Sequence, residues 1–246
     1  MSAEDATTQC VPAVLKTARI LDLVARGQRA EPGAPFLIRG EPGVGKDVLA
    51  RLIHAASERQ RYSFIKVNCA VRPADRCEAD LFGHDRGASP PAIRRRLGSF
   101  EFANHGTIYL DEIEALPRTL VPRLLRVLGT GEVLSAVGRE IVRVDVRVIA
   151  STVHEPETGD PDNLWQDLHR LNVVEVRIPP LRQRTEEIPD FASFFLEQFN
   201  RRYRRHVQLC PDVLAAFSAH SWPRNVRELE EAVHRLVVGG AMAPAH

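Results

Sequence analysis

Apolar residues in this chain fall into short continuous runs that alternate with stripes at helical spacing. Phe36-Leu37-Ile38, Phe64-Ile65-Lys66-Val67 and Thr107-Ile108-Tyr109-Leu110 each predict a short buried strand. Val142, Val144, Val146 and Val148 alternate with charged residues and lead into a further strand ending near Ala150, and Val173 to Ile178 predicts a fifth. Helical stripes lie around them. Val14, Leu15, Ala18, Ile20, Leu21, Leu23 and Val24 form one, ahead of a Gly/Pro-rich turn at residues 31–35. Val48, Leu49, Leu52, Ile53 and Ala56 form a second, and Leu120, Val121, Leu124, Leu125 and Leu128 a third. Short apolar strands alternating with helices predict an α/β fold with a parallel sheet covered on both faces.

After Pro179-Pro180 the strand pattern stops. Ile188, Phe191, Phe194, Phe195 and Phe199 make a helical stripe, Val213 to Phe217 another, and Val226, Leu229, Val233 and Leu236 a third. The expected organisation is an α/β subdomain over residues 1–180 and a small all-helical subdomain over 181–246.

Composition narrows the function. The 246 residues are 44% hydrophobic and 26% charged, and 33 Lys plus Arg against 32 Asp plus Glu leave a formal charge of +1. That balance excludes a strongly basic nucleic-acid coat and an acidic disordered tail. No apolar run approaches a membrane span, and the N-terminal MSAEDATTQC lacks the basic and apolar regions of a signal peptide, so no membrane partner is expected. Cys10, Cys69, Cys77 and Cys210 match neither a zinc spacing nor a disulfide framework, and His54 and His84 have no ligand partner at a metal-binding spacing. A reducing cytoplasm is the expected location. Thirty of the basic residues are Arg; only Lys16, Lys46 and Lys66 are Lys.

Lys46 closes the segment Gly40-Glu41-Pro42-Gly43-Val44-Gly45-Lys46, which has Walker A spacing and stands between a predicted strand and a predicted helix. Glycines let backbone N–H groups turn inward around phosphates, the helix N-terminus (Asp47, Val48) adds its positive end, and the lysine reaches the outer phosphates. An ordinary Gly-rich turn is the competing explanation, and the strand–loop–helix context disfavours it. Asp47 stands where Ser or Thr usually binds magnesium. Asp111-Glu112 ends the third strand, where one carboxylate can hold magnesium and its neighbour can polarise an attacking water. The expected ligands are ATP and Mg2+, with Asp111 as the metal residue.

With these motifs placed, the chain from about Ala34 to Val238 resembles the AAA+ domain of bacterial enhancer-binding proteins, the ATPases that remodel sigma-54 RNA polymerase. The similar segments include Phe64 to Ala70, Asp80-Leu81-Phe82-Gly83-His84, Gly106 to Ile113, Arg123 to Leu128, Pro179 to Arg184 and Trp222-Pro223-Arg224-Asn225-Val226-Arg227-Glu228-Leu229. The resemblance implies a P-loop AAA+ parallel sheet sandwiched by helices, followed by a helical lid. It implies that Asn68 pairs with Glu112 as a switch, that Arg227 contacts nucleotide from the lid, and that Arg170 reaches a neighbouring subunit's nucleotide. A homo-oligomeric ring, hexamer or heptamer, goes with it. Asn225 with Glu228 three residues on also has the spacing of a helix N-cap pair.

Four departures qualify what carries over. The family's loop G-A-F-T-G-A, whose Phe and Thr touch sigma-54, reads Gly87-Ala88-Ser89-Pro90-Pro91-Ala92 here. Serine removes most of the apolar area of that contact and two prolines fix φ, which argues against productive sigma-54 contact. Trp165 replaces the first of two finger arginines and leaves Arg170. Val153 replaces a polar sensor residue and leaves Thr152 as a weaker polar candidate. The chain has no room for a sensing domain ahead of Ala34 or a helix-turn-helix after Val238, so DNA contact is expected only through a domain absent from these residues. Two functions compete. One is a ring ATPase of a transcription regulator with an RNA polymerase sigma factor as partner. The other is a nucleotide-responsive binding module or antagonist that has lost sigma-54 remodelling and has weak or no ATPase activity.

Overall fold

The computed structural model describes residues 17–29, 33–70, 74–83, 97–134, 141–154 and 171–239. In chain order the elements are α1 (Ala18–Arg29), β1 (Phe36–Arg39), α2 (Lys46–Ala55), β2 (Phe64–Asn68), α3 (Ala74–Phe82), α4 (Ser99–Phe102), β3 (Thr107–Asp111), α5 (Val121–Thr130), β4 (Glu132–Leu134), β5 (Ile141–Arg143), β6 (Arg147–Thr152), β7 (Val174–Arg177), α6 (Ile188–Tyr203), α7 (Pro211–Ala219) and α8 (Asn225–Val238). Contacts divide the chain into two compact units. One comprises Asp22–Arg39 and Lys46–Arg177; the other comprises Ile178–His246 with Gly40–Gly45 and Met1–Leu21.

The first unit is built on a sheet of five described strands in the order β2-β3-β6-β1-β7, all parallel. Every residue of β1 and β6 is buried, as expected for strands covered on both faces. One core joins Leu37, Val67, Ile108, Leu110, Val148 and Ala150 of the strands to Leu81, Phe82, Phe100, Leu124 and Val127 of α3, α4 and α5. Ile53 of α2 lies against Gly27 of α1, where a β-carbon would fall 3.2 Å from its Cγ2. Arg147 closes the same contact by donating to the Gly27 carbonyl at 2.6 Å.

The predicted strand through Val142 to Ala150 is two strands with a break. Residues 141–143 pair antiparallel with β4, an element the hydrophobic pattern did not announce, and 147–152 join the parallel sheet. Between them the backbone turns to other partners. The Val144 N–H donates to the Gly131 carbonyl at 2.8 Å and the Asp145 N–H to Asn104 Oδ1 at 2.9 Å. The alternation at Val142, Val144, Val146 and Val148 runs straight through this break, although β5 is largely exposed and β6 is buried throughout.

The second unit packs Leu181, Ile188, Phe191, Phe195, Phe199, Trp222, Leu229, Val233 and Val237 into a helical core. Pro189 and Pro211 sit in the first turns of α6 and α7, where no N–H is needed. The basic run at Arg201–His206 ends α6, with Arg204 in the left-handed region as its C-cap and Arg201 paired with Glu197. Arg184 is the exception in this apolar core. Only 1% exposed, it donates to Glu187 Oε2 at 3.1 Å and to the Val44 carbonyl at 2.8 Å, and its guanidinium lies over the Phe191 ring.

Removing one member of a buried ion pair strands the other charge. Arg184→Met is therefore expected to destabilise the helical unit by about 3–5 kcal/mol, measured by urea unfolding followed through Trp222 in a Trp165→Phe background. The double variant Arg184→Met/Glu187→Met is expected to recover most of that loss, and equal losses in both would show that the pair is not coupled.

Candidate functional site

The loop from Gly40 to Gly45 is shaped by its own backbone and by the helical unit. Gly43 has φ +78 and Gly45 φ +101, conformations that residues with a β-carbon rarely hold. A β-carbon on Gly43 would fall 2.3 Å from the Arg224 carbonyl oxygen, so the loop backbone packs directly against the segment leading into α8. On Gly45 it would meet nothing within 4 Å. Glu41 receives two hydrogen bonds from Arg182, at 2.8 and 2.6 Å. Asn225 Nδ2 donates to Glu41 Oε2 at 3.1 Å and to the Pro42 carbonyl at 3.0 Å, while Asn225 Oδ1 accepts from the Leu181 N–H at 2.7 Å. Asn225 is therefore no N-cap. Glu228 still reaches back, accepting from the Arg224 N–H at 2.9 Å, but the asparagine has residue-distant partners that outcompete a local cap.

In the sheet unit, Lys46 opens α2 and is 8% exposed, with Asp47 and Val48 following in the first turn. Burial pushes its ammonium below the ordinary lysine value, opposed by the charges of Asp111, Glu114, Glu112 and Asp47. Asp111 ends β3. Its Oδ1 accepts from Ser151 Oγ at 2.7 Å and from the Tyr109 hydroxyl at 2.9 Å, and its Oδ2 lies 2.9 Å from Lys66 Nζ. Burial opposes the charge on Asp111, yet the Lys66 ammonium and the two hydroxyls outweigh it and hold the carboxyl below the usual carboxylate range. Glu112 follows at φ 57 and ψ 56, a left-handed conformation that costs free energy in a non-glycine residue and recurs at functional sites. Its N–H donates to Ser151 Oγ at 3.3 Å.

The remaining sequence candidates are placed as follows. Asn68 stands opposite Asp111 in the β2–β3 register, and its Oδ1 accepts from the Ala70 N–H at 2.8 Å. Among the described residues no Asn68–Glu112 hydrogen bond forms. Thr152 ends β6 fully buried, its hydroxyl accepting from the His154 N–H at 3.1 Å, and Val153 is exposed. Arg227 projects from α8 largely to solvent, 3.9 Å from Glu231. Arg170, Trp165 and the segment Gly87–Ala92 lie outside the described residues. Sequence reasoning passed over Tyr109, Ser151 and Glu114. Period two in β3 places Tyr109 on the face of Asp111, and that signal was available; the Ser151 contact needed the strand order. Glu114 accepts from the Val153 N–H at 3.3 Å and is 3.2 Å from His154 Nδ1.

These residues fit a nucleotide with a hard divalent cation. The backbone at Gly45 leaves open space for phosphate oxygens, and Lys46 supplies positive charge beside it in sequence. The Asp111 and Glu112 carboxylates offer oxygen ligands, the type that Mg2+ takes, and nucleotide phosphates and water would complete its shell. Among the described residues there is no group of three metal-ligating side chains and no helix long and apolar enough to cross a membrane.

Comparison with known proteins agrees with this chemistry. Residues 13–177 match the family model described as the Sigma-54 interaction domain, and residues 182–242 match an AAA+ ATPase lid domain. The Nif-specific regulatory protein of Azotobacter vinelandii is 39% identical over 222 residues, covering 89% of this chain and 42% of its own. The crystal structure of NtrX from Brucella abortus matches with a TM-score of 0.81 at 33% identity, over 95% of this chain and 55% of that one. NtrX in complex with ATP matches with a TM-score of 0.78 at 32% identity, over 92% and 50%. The chain thus spans less than half the length of the Nif-specific regulator and about half that of NtrX.

Two outcomes are expected at β3. Ser151→Ala removes a hydroxyl that engages Asp111, Tyr109 and Glu112, and should lower stability by about 1–3 kcal/mol in urea unfolding; an unshifted midpoint would show the network to be idle. Burial pushes the Cys69 thiol up to about 12, so the reactive thiolate is scarce below that pH. Iodoacetamide at pH 8, mapped by mass spectrometry, should label exposed Cys210 and leave Cys69 unlabelled until the protein is denatured.

Proposed function

The chain belongs to the family of sigma-54 interaction domains, and from that premise we propose that it binds and hydrolyses ATP as the AAA+ domain of a bacterial transcription regulator. The observation that carries this is Lys46, a nearly buried lysine at the start of α2 in the field of Asp111, Glu114 and Glu112. An ammonium pushed down by burial and drawn up by carboxylates is a poised partner for phosphate. The relatives' names support a regulatory role, and NtrX in complex with ATP supports the ligand.

In this function the amides from Gly43 to Val48 and the Lys46 ammonium hold the phosphates, as a Walker loop does. Asp111 holds the cation, which when bound neutralises charge on the phosphates. Glu112, which follows Asp111 in a left-handed turn, orients the attacking water and accepts its proton. Asn68 acts as a switch by exchanging its Ala70 bond for one to Glu112. The resemblance gives Thr152 the role of polar sensor and Arg227 that of a nucleotide-contacting arginine. By the resemblance, Arg170 serves an adjoining subunit of a homo-oligomeric ring, where an arginine finger is worth about 10³ or more in rate. The partner is an RNA polymerase sigma factor, and the Ser89-Pro90-Pro91 tip weakens contact with sigma-54 itself.

The test is ATP turnover as a function of protein concentration. Turnover should rise more than linearly with concentration, Lys46→Ala should abolish it together with ATP binding, and Arg170→Ala should lower kcat by about 10³ while leaving ATP binding intact. Wild-type turnover no greater than that of Lys46→Ala would refute hydrolysis.

A further inference from the structure

Lys66 has no part in the chemistry derived so far, yet it makes the one cationic contact to Asp111 among the described hydrogen bonds and ion pairs. The β2–β3 register sets it opposite Tyr109 and on the same face as Asn68, which faces Asp111. Its ammonium lies 2.9 Å from Asp111 Oδ2 and 5.5 Å from the centre of the Tyr109 ring. An ionised carboxylate offers about four lone-pair positions. Ser151 and Tyr109 take two on Oδ1, and Lys66 takes one on Oδ2. The position left for a cation is on the same oxygen that the ammonium already holds.

We propose that Lys66 is a positioning residue that competes with the divalent cation for Asp111 Oδ2, and so sets the Mg2+ concentration at which ATP is bound tightly. This rests on the ATP-binding function proposed above and deepens it. The physical basis is charge. A dication a few ångströms from an ammonium is repelled by it, so the cation binds only as Lys66 withdraws or is held off through water. Lys66 is suited to withdraw. Its side chain is 35% exposed against 17% for Asp111, so it approaches from the solvent side, and its flexible stem carries a single compact charge. An arginine would offer a planar fork able to clamp both carboxylate oxygens. In a chain with 30 Arg among 33 basic residues, lysine stands at this position. Withdrawal leaves Asp111 in place, because its other oxygen remains bonded to Ser151 and Tyr109.

The experiment measures binding of a fluorescent, non-hydrolysable ATP analogue to wild type, Lys66→Met, Lys66→Gln and Lys66→Arg, first in EDTA and then across a MgCl2 titration. With the ammonium gone, the two neutral variants should reach half-maximal tight binding at about tenfold lower Mg2+ than wild type. Lys66→Arg, which keeps the charge and holds the carboxylate more firmly, should have a midpoint no lower than wild type. In EDTA all four proteins should bind the analogue alike, because the Lys46 loop is untouched. A purely structural Lys66 would change the melting temperature without moving the Mg2+ midpoint. An unchanged or raised midpoint in a folded neutral variant, or neutral variants that both fail to fold, overturns the inference and leaves ATP binding standing. Failure of wild type to bind the analogue at any Mg2+ concentration overturns ATP binding and this inference together.

Discussion

A carboxylate at the end of a buried strand must be kept charged without being neutralised beyond use, and the sheet unit is arranged around that constraint at Asp111. Burial acts against its charge, so the neighbouring strands supply compensation: an ammonium from β2 and hydroxyls from β3 and β6. The strand order β2-β3-β6 makes this available, because it places β3 between the two strands that carry Lys66 and Ser151. Ser151 then fixes the next residue as well, by accepting from the Glu112 N–H in its strained left-handed turn. One serine hydroxyl thus ties the orientation of Asp111 to that of Glu112. Hydrogen-bond networks of this kind strengthen their members in low dielectric and leave large penalties when one is removed.

The loop from Gly40 to Gly45 is held by a different means. Arg182, Arg184 and Asn225 send their side chains to Glu41, to the Val44 carbonyl and to the Pro42 carbonyl, while the backbone before α8 comes too close to Gly43 to admit a β-carbon. The segments Pro179–Arg184 and Trp222–Leu229, which carry part of the family resemblance, are in this structure the clamps that hold the loop's shape. The Arg184 Nη atoms and the Asn225 amide have their partners in the loop or the adjacent turns, so loop conformation and helical packing stand or fall together.

Much of the fold was legible because its signals are local. Strand runs and helical stripes depend on periodicity over a few turns, and β1, β2, β3, α2, α5 and α6 appear where that periodicity puts them. Where it misled, a distant partner had prevailed. The 142–150 alternation hid a break because the bonds at Val144 and Asp145 go to Gly131 and Asn104. The Asn225-to-Glu228 spacing suggested a cap, and Asn225 instead bonds residues more than forty positions away in sequence.

By itself the sequence determined the α/β class, the Walker-type loop ending in Lys46, the acidic pair at Asp111-Glu112 and the family, because each is written in contiguous residues whose backbone geometry follows from their chemistry. Which groups compensate those charges was decided only in three dimensions. Lys66, Tyr109 and Ser151 come from strands separated by as many as 85 residues, and a parallel sheet brings them to one carboxylate through strand order and register. The pairing of parallel strands depends on the packing of the helices between them, and no local pattern encodes it.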